Sequence, residues 1–290
     1  MTLTAPFRCS TLADELGEPM IGTTEQRVRW LLVEDRSPWG ERAVRDVLGA
    51  DADATAKGLG LRLLLVRRRE GDPAADAVRR VILVDTARAE MAIRTVTALD
   101  ELDVEAAATV SLADFGAPLS DPILLVCTNG KRDACCALRG RMLVSALAAG
   151  HAERVWECTH LGGHRFAGNL VCLPHGIAYG RVTPEAGPRL ADAYLAGHLD
   201  PTFLRGRSAW PPPAQVAEAH VRARLGLAAL DAVGLVEVDA SDGAATVTLA
   251  TTDGRRHVVR LLASPQPPPR PISCRADEPE EPVHWQVAAD

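Results

Sequence analysis

Cysteines and histidines are concentrated between residues 123 and 173 of this chain. Cys127 ends an apolar run, and Cys136 follows it after eight intervening residues. His160 and His164, with three residues between them, follow a second strand-like run at 154–158. Thiolates and imidazoles are the soft and borderline ligands that iron, copper and zinc take in proteins. Their types and spacing therefore predict a transition-metal or iron–sulfur site.

These four residues could divide between two irons. Two thiolates on one iron and two imidazoles on the other make a Rieske-like [2Fe–2S] centre. Imidazole ligands leave less negative charge on the cluster than thiolates do, which predicts a potential above that of an all-cysteine ferredoxin. An imidazole bound through one nitrogen keeps a proton on the other, so we expect reduction to be coupled to proton uptake. Gly162 and Gly163 lack Cβ atoms and would let the loop fold tightly around such a group.

Three other cysteines lie close to these residues in sequence. Cys135 precedes Cys136 directly, and successive helical residues point about 100° apart, so only one of the two should face the cluster. The eight-residue spacing favours Cys136. Cys158 lies two residues before His160, on the same strand face, and we expect a supporting or core thiol rather than a ligand. Cys172, in an apolar strand, is predicted to be a core residue.

Charged residues beside the constellation allow two interpretations. Arg165, Lys131 and Arg132 could donate hydrogen bonds to cluster sulfurs or steer a negatively charged partner. Alternatively, Arg132 and Asp133 cap and charge the helix that follows. Two further residues are expected to have no part in a site, namely His175 as a surface residue in a turn and Cys9 as an ordinary thiol. The remaining histidines are scattered along the chain.

The order of predicted elements positions the constellation. The central portion reads as strand 123–127, helix 133–149, strand 154–158, a helix start at 163–168, strands 169–173 and 176–182, and helix 185–197. A βαβ unit followed by a hairpin and a helix is the order of a thioredoxin-like fold. Ligand sites of such sheets gather where parallel strands end, which is where Cys127 and His160 fall.

The flanking regions carry no chemical motif. In the first region, 1–117, we predict an irregular arm to residue 26, strands 28–34, 61–66, 78–84 and 91–96, and helices 41–48, 52–57 and 99–108. Strands 61–66 and 78–84 are expected to form a hairpin around the polar loop 70–73. After the central region, 118–204, a proline linker at 205–213 precedes helix 215–233 and strands 235–240, 245–251 and 257–262. An extended, partly disordered tail is expected from residue 266. The predicted fold class is α/β, a thioredoxin-like ferredoxin domain with an N-terminal α/β half (1–117) and a small C-terminal α+β extension (205–290).

Composition narrows the classes of function. Hydrophobic residues make up 47% of the 290 residues, and the net charge of −6 argues against nucleic acid or an anionic membrane as the main partner. The N-terminal residues lack a signal-peptide pattern, and apolar runs fall short of the roughly 18–20 residues that span a bilayer. We therefore expect a cytoplasmic protein. Seven cysteines are an odd count for a disulfide framework, and clustered cysteines there indicate metal binding or catalysis.

Two segments together resemble a known family. Residues 127–137 read Cys-Thr-Asn-Gly-Lys-Arg-Asp-Ala-Cys-Cys-Ala, and residues 156–167 read Trp-Glu-Cys-Thr-His-Leu-Gly-Gly-His-Arg-Phe-Ala. They resemble the sucrase/ferredoxin-like family of thioredoxin-like ferredoxins, one branch of which uses a Cys-x8-Cys and His-x3-His ligand set. The similarity is specific over about 123–182 and extends more loosely from Cys9 to Cys274. It implies no sugar hydrolysis, which would need a carboxylate pair.

The resemblance implies a function as well as a fold. It implies a [2Fe–2S] cluster held by Cys127, Cys136, His160 and His164, in an electron carrier rather than an enzyme. The expected partner is a redox protein or a small electron acceptor.

Two other functions fit the same residues. Two cysteines and His-x3-His also suit structural zinc, although the Cys-x8-Cys spacing is wider than in zinc fingers. A thioredoxin-type thiol oxidoreductase could use Cys135 or Cys136, but these are adjacent and the chain has no Cys-x-x-Cys pair.

Overall fold

The computed structural model describes residues 7–68 and 78–289. The predicted loop 70–73 lies outside the described residues. Over the described part, the chain forms a large mixed sheet with helices against it and a second, smaller antiparallel sheet. This is an α/β architecture of the kind expected for a thioredoxin-like ferredoxin.

The N-terminal region alternates short helices and strands. Its helices are α1 (Cys9–Glu15), α2 (Ala43–Leu48), α3 (Ala50–Gly58), α4 (Val104–Thr109) and α5 (Leu112–Phe115), and its strands are β1 (Arg29–Glu34), β2 (Arg62–Arg67), β3 (Arg79–Asp85), β4 (Glu90–Val96) and β5 (Ala117–Pro118). The four predicted strands are confirmed. The irregular arm contains a helix, α1, and the helix predicted at 99–108 divides into a 3-10 turn at Leu99–Glu101 and α4.

The central region follows the predicted order closely. It comprises β6 (Ile123–Cys127), α6 (Ala134–His151), β7 (Val155–Cys158), a 3-10 turn at His164–Phe166, β8 (Leu170–Leu173), β9 (Ile177–Tyr179) and α7 (Ala186–Leu195). β6 and β7 are parallel neighbours, whereas β8 runs antiparallel to β6 and β9 antiparallel to β8. Every residue of β6 is buried, as is usual for a strand in the interior of a sheet covered on both faces.

One sheet joins the N-terminal and central regions. Within the described residues its strand order is β10-β9-β8-β6-β7-β2-β1-β3-β4-β5, where β10 is Leu204–Arg207. The two regions meet where β2 pairs antiparallel with β7. The predicted boundary between residues 117 and 118 therefore falls inside β5, a strand of the shared sheet; the division into domains remains a prediction.

The predicted hairpin between β2 and β3 is wrong. β1 lies between them, parallel to β2 and antiparallel to β3. The apolar runs correctly predict that both segments are strands. They do not show which strands pair, and adjacency in sequence gives the wrong partner. The continuously buried stretches of β1 and β2 are typical of strands in the interior of a sheet, which have a paired strand on each side. Burial alone does not indicate which strands those are.

The C-terminal region is more ordered than the sequence indicates. The stretch predicted as a proline linker forms the edge strand β10, and its prolines begin helix α8 (Pro212–Leu225), where a missing N–H costs little. Strands β11 (Val233–Ser241), β12 (Ala244–Thr251) and β13 (Arg256–Pro265) confirm the three predicted strands and pair antiparallel in sequence order. The tail predicted to be partly disordered is held in place within the described residues to 289: β14 (Val283–Val287) pairs with β13, and Arg270 and His284 are buried.

Helix α6 packs closely against the end of β6. Asp133 caps the helix by accepting a hydrogen bond from the Cys135 backbone N–H at 2.9 Å. Gly140 lies over the carbonyl oxygen of Cys127, where any Cβ would collide. The absence of a side chain at Gly140 thus allows the first turns of α6 to lie beside the strand end that carries Cys127.

Candidate metal centre

Two parallel strands end side by side at the site. In the register of β6 and β7, Cys127 is opposite Cys158, and His160 follows two residues later. Because the carboxyl ends of parallel strands meet at one edge of the sheet, residues distant in sequence come together there. The prediction that Cys127 and His160 fall at such an edge is confirmed.

The structure brings all four predicted ligands together. One ligand atom from each of Cys127, Cys136 and His160 lies within 4.8 Å of the others. The Cys136 Sγ and His164 Nδ1 are 3.7 Å apart. The rings of His160 and His164 are stacked, with centroids 3.9 Å apart and planes inclined by 11°. We call these four residues the Cys–His site; that they bind a metal remains a prediction.

The two thiols of the Cys–His site differ in their affinity for protons. The Cys136 thiol donates a hydrogen bond that holds the pKa of Cys127 well below its usual value against the opposing effect of burial, and His160 lowers it further. The same interaction and burial raise the pKa of Cys136 well above its usual value. Burial lowers the pKa of His164 to about 3, and His160 adds to that shift. Cys127 is therefore the more acidic of the two thiols.

The site is closed on its sulfur side and more open on its imidazole side. Cys127 and Cys136 are both 1% exposed, whereas His160 and His164 are half-buried. His160 lines a surface cavity of about 360 Å³. A group held here would therefore be nearest to the surface at its imidazoles.

The loop carrying the histidines depends on its glycines. Gly162 and Gly163 have φ angles of +83° and +66°, which residues with side chains rarely adopt. A Cβ on Gly163 would also collide with the guanidinium of Arg205. That guanidinium donates hydrogen bonds to the Thr23 carbonyl at 2.7 Å and the Asn169 side-chain oxygen at 2.8 Å, which anchors it beneath the loop.

The neighbouring cysteines point elsewhere. Cys158 is fully buried among apolar side chains, and burial raises its pKa well above the usual value. Cys172 is likewise buried in the core, as predicted. Cys135, on the same turn as Cys136, faces Cys9 and Cys274.

The predicted charged neighbours have structural partners. Arg165 donates to the buried carboxylate of Glu18 at 2.7 Å. Arg132 is paired with Glu41, 3.6 Å away, and Asp133 caps α6, so the capping interpretation of Asp133 is confirmed. His175 lies half-buried in the turn between β8 and β9, with its Nδ1 2.9 Å from the Tyr194 hydroxyl.

A second group of potential ligands was missed from the sequence. Cys9, Asp133, Cys135 and Cys274 each place one ligand atom within 4.8 Å of the others. We call Cys9, Cys135 and Cys274, with Asp133, the three-thiol site. No spacing pattern joins residues so far apart in sequence, and the only signal was that the chain has more cysteines than the Cys–His site uses.

Among the described residues, no helix is long and apolar enough to cross a membrane. No solved structure matches the chain.

Fungal proteins named altered inheritance of mitochondria protein 32 are similar over part of their length. That of Meyerozyma guilliermondii is 33% identical over 88 residues, which are 27% of this chain and 31% of the relative. That of Eremothecium gossypii is 36% identical over 106 residues, 31% of this chain and 34% of the relative.

The chain thus spans about a third of the length of these curated relatives. A family model provides a broader match, from residue 20 to residue 206, which includes both strand ends and all four residues of the Cys–His site. This chain belongs to the sucrase/ferredoxin-like family.

Proposed function

We propose that this protein is an electron carrier that holds a Rieske-like [2Fe–2S] cluster through Cys127, Cys136, His160 and His164. The observation that supports it is the meeting of two thiols and two imidazoles at the ends of β6 and β7. Two thiolates for one iron and two imidazoles for the other is the donor set that such a cluster requires.

The surroundings fit a buried redox group with one accessible edge. Among the described residues, Cys127 and Cys136 belong to one buried apolar cluster that includes Leu125, Trp156 and Leu161. Both sulfurs are thereby removed from solvent, and solvent exposure is one of the factors that set the potential of an iron–sulfur cluster. The cluster would supply one-electron chemistry, and the imidazoles of His160 and His164 would hold the iron nearest the surface.

The cavity beside His160 is the proposed place for electron exchange. Its lining carries more basic than acidic residues, with Arg42, Arg45, Lys57, Arg62 and Arg132 against Glu41 and Asp53. An excess of positive charge attracts a negatively charged partner and raises its rate of association. The proposed partner is therefore an acidic redox protein or an anionic electron acceptor that docks against the imidazole side.

The test is the metal and sulfide content of the full-length protein purified under anaerobic conditions. The proposal expects about two irons and two acid-labile sulfides per chain, a red-brown colour, and a paramagnetic signal after one-electron reduction. A colourless protein with zinc bound by these four residues would instead favour a structural zinc protein. A metal-free protein with reactive thiols at Cys135 or Cys136 would favour the thiol oxidoreductase.

Coupling of the electron to a proton remains a prediction from the sequence. It is tested by the dependence of the reduction potential on pH, which should fall as pH rises once the imidazole N–H of the oxidised protein ionises. A potential independent of pH over the whole stable range would contradict it.

A further inference from the structure

The three-thiol site is built from three distant parts of the chain. Cys9 lies at the start of α1, Cys135 in the first turn of α6, and Cys274 in the segment between β13 and β14. Cys9 and Cys274 both lie outside the residues matched by the family model, 20–206. The group therefore joins both flanking segments to the central helix.

The spacing of its sulfur atoms suits one tetrahedral metal ion. The Sγ atoms are 3.7 Å apart between Cys9 and Cys135, 3.3 Å between Cys135 and Cys274, and 3.6 Å between Cys274 and Cys9. Tetrahedral zinc with Zn–S bonds of about 2.3 Å holds its sulfurs about 3.8 Å apart. A triangle of three thiols needs only a small expansion to accept the ion.

Asp133 supplies a fourth ligand atom in the same place. Its side chain is fully buried, and its Oδ2 lies 3.8 Å from the Cys9 Sγ. The backbone N–H groups of Cys135 and Cys274 each donate to the carboxylate at 2.9 Å, which fixes its orientation. Three thiolates and one carboxylate complete a tetrahedral set that zinc accepts.

A disulfide accounts for the arrangement less well than a metal does. A disulfide joins two sulfurs at about 2.05 Å and would leave the third thiol without a partner. All three cysteines are free, and the three sulfurs are separated by similar distances. The symmetry of the triangle therefore favours a common central ion.

We propose that Cys9, Cys135 and Cys274, with Asp133, bind a structural zinc ion separate from the Cys–His site. The ion ties α1 and the segment before β14 to the first turn of α6. Since Cys136 is the next residue of that turn, the zinc also fixes the helix end from which Cys136 reaches the Cys–His site. Adjacent cysteines thereby serve two different metal sites.

The experiment uses the full-length protein purified without a metal-affinity tag and measures zinc and iron separately by mass spectrometry. The expected result is about one zinc per chain, bound by three sulfurs in the zinc X-ray absorption spectrum. Cys9→Ser and Cys274→Ser should each lose at least nine-tenths of the zinc and keep the wild-type iron content. Cys172→Ala, which removes a buried thiol outside both sites, is the matched control and should keep the zinc.

Cys127→Ala separates this proposal from the proposed electron carrier. It should lose iron and retain zinc, so failure of the cluster and failure of the zinc site give different results. Protein without zinc, a disulfide among Cys9, Cys135 and Cys274 in the untreated protein, or zinc lost from Cys127→Ala but retained in Cys9→Ser would overturn the proposal. The absorption spectrum of the wild type decides the ligands even where a serine variant does not fold.

Discussion

The Cys–His site and the three-thiol site lie on either side of one helical turn and differ in how the chain builds them. The first takes its residues from a span of 38 positions, 127–164, around two neighbouring strand ends. The second takes them from positions 9, 133, 135 and 274, and it forms only when both ends of the chain have packed. Cys135 and Cys136 belong to different sites because successive helical residues point about 100° apart.

Their surroundings differ as much as their origins. The Cys–His site opens through His160 onto a surface cavity, whereas Cys9, Cys135 and Asp133 of the three-thiol site are buried and Cys274 is half-buried. Imidazoles near a surface suit exchange of electrons with a partner. Thiols drawn from three distant segments suit a cross-link that stabilises the fold.

Replacing each of the two adjacent cysteines by alanine in turn should produce the largest difference in metal content between the two sites. We expect Cys136→Ala to lose the iron and the visible absorption completely, because one iron loses half of its protein ligands. Cys135→Ala should keep the colour and the iron and lose the zinc. Metal analysis and the visible spectrum of the two purified variants, beside Cys127→Ala as the positive control for iron loss, provide the measurement. The reverse result would show that the assignment of the two cysteines is wrong.

Replacement of an imidazole by a thiolate should retain the cluster and change its potential. A thiolate adds negative charge, so His160→Cys or His164→Cys should lower the potential, on the order of a few hundred millivolts from the Rieske toward the ferredoxin range. Voltammetry measures this shift. His257→Cys, at a half-buried histidine in β13, is a suitable control and should leave the potential unchanged. An unchanged potential in both loop variants would argue against histidine ligation.

Loss of the buried carboxylate of Glu18 should weaken the packing that holds the three-thiol site. Burial opposes its ionisation, but hydrogen bonds from His284 and Arg270 and the charge of Arg165 hold its pKa at about 2, below its ordinary value of 4.5. Such a shift corresponds to about 3 kcal/mol of folding stability. Because the folded-state pKa is lowered, this stability is present above pH 4.5 and is lost as pH falls through about 2. Glu18→Gln should therefore lower the free energy of unfolding by about 3 kcal/mol at neutral pH, with the difference from wild type disappearing toward pH 2.

Denaturant titrations at several pH values measure that difference. Glu153→Gln, at a side chain 86% exposed, is the matched control and should change stability by less than about 0.5 kcal/mol. Since Arg270 precedes Cys274 by four residues, Glu18→Gln should also release zinc to a chelator before it releases iron. Simultaneous release of both metals would show that the two sites unfold as one unit.

Removal of the buried thiol of Cys158 should have the smallest effect. Cys158 lies beside Cys127 in the sheet but packs among apolar residues. Cys158→Ala should therefore keep both metals and cost about 1 kcal/mol, as for the loss of a buried methylene-sized group. Metal analysis and thermal unfolding measure the two quantities. Loss of iron from this variant would indicate that Cys158 is a ligand, and one of the two histidines would then not be a ligand.

Sequence patterns over a few residues correctly predicted the individual strands and helices of the central region. The apolar runs of β6, β7 and β8 and the capped helix α6 were found at nearly their observed bounds, because burial and backbone preferences act over a few residues. The pairing of β2 with β1 rather than β3 was not found. Strand pairing depends on which faces are covered in the folded protein, and adjacency in sequence gives only a partial guide to it.

The C-terminal region shows how composition can mislead. Prolines and acidic residues indicated a stiff linker and a disordered tail, yet β10 completes the large sheet and Arg270 and His284 pair with the buried Glu18. Those residues are ordered by partners 252 and 266 positions away. No window of the sequence contains both members of such a pair.

By itself, the sequence determined the residue types, the parallel strand ends and the spacing that bring Cys127, Cys136, His160 and His164 into reach of one another. Helix geometry points Cys135 away from the direction of Cys136, but only the tertiary structure brings Cys9 and Cys274 to meet it. The physical reason is range: a helical turn and two adjacent strand ends are specified within about 40 residues, whereas the three-thiol site requires closure of loops that span most of the chain.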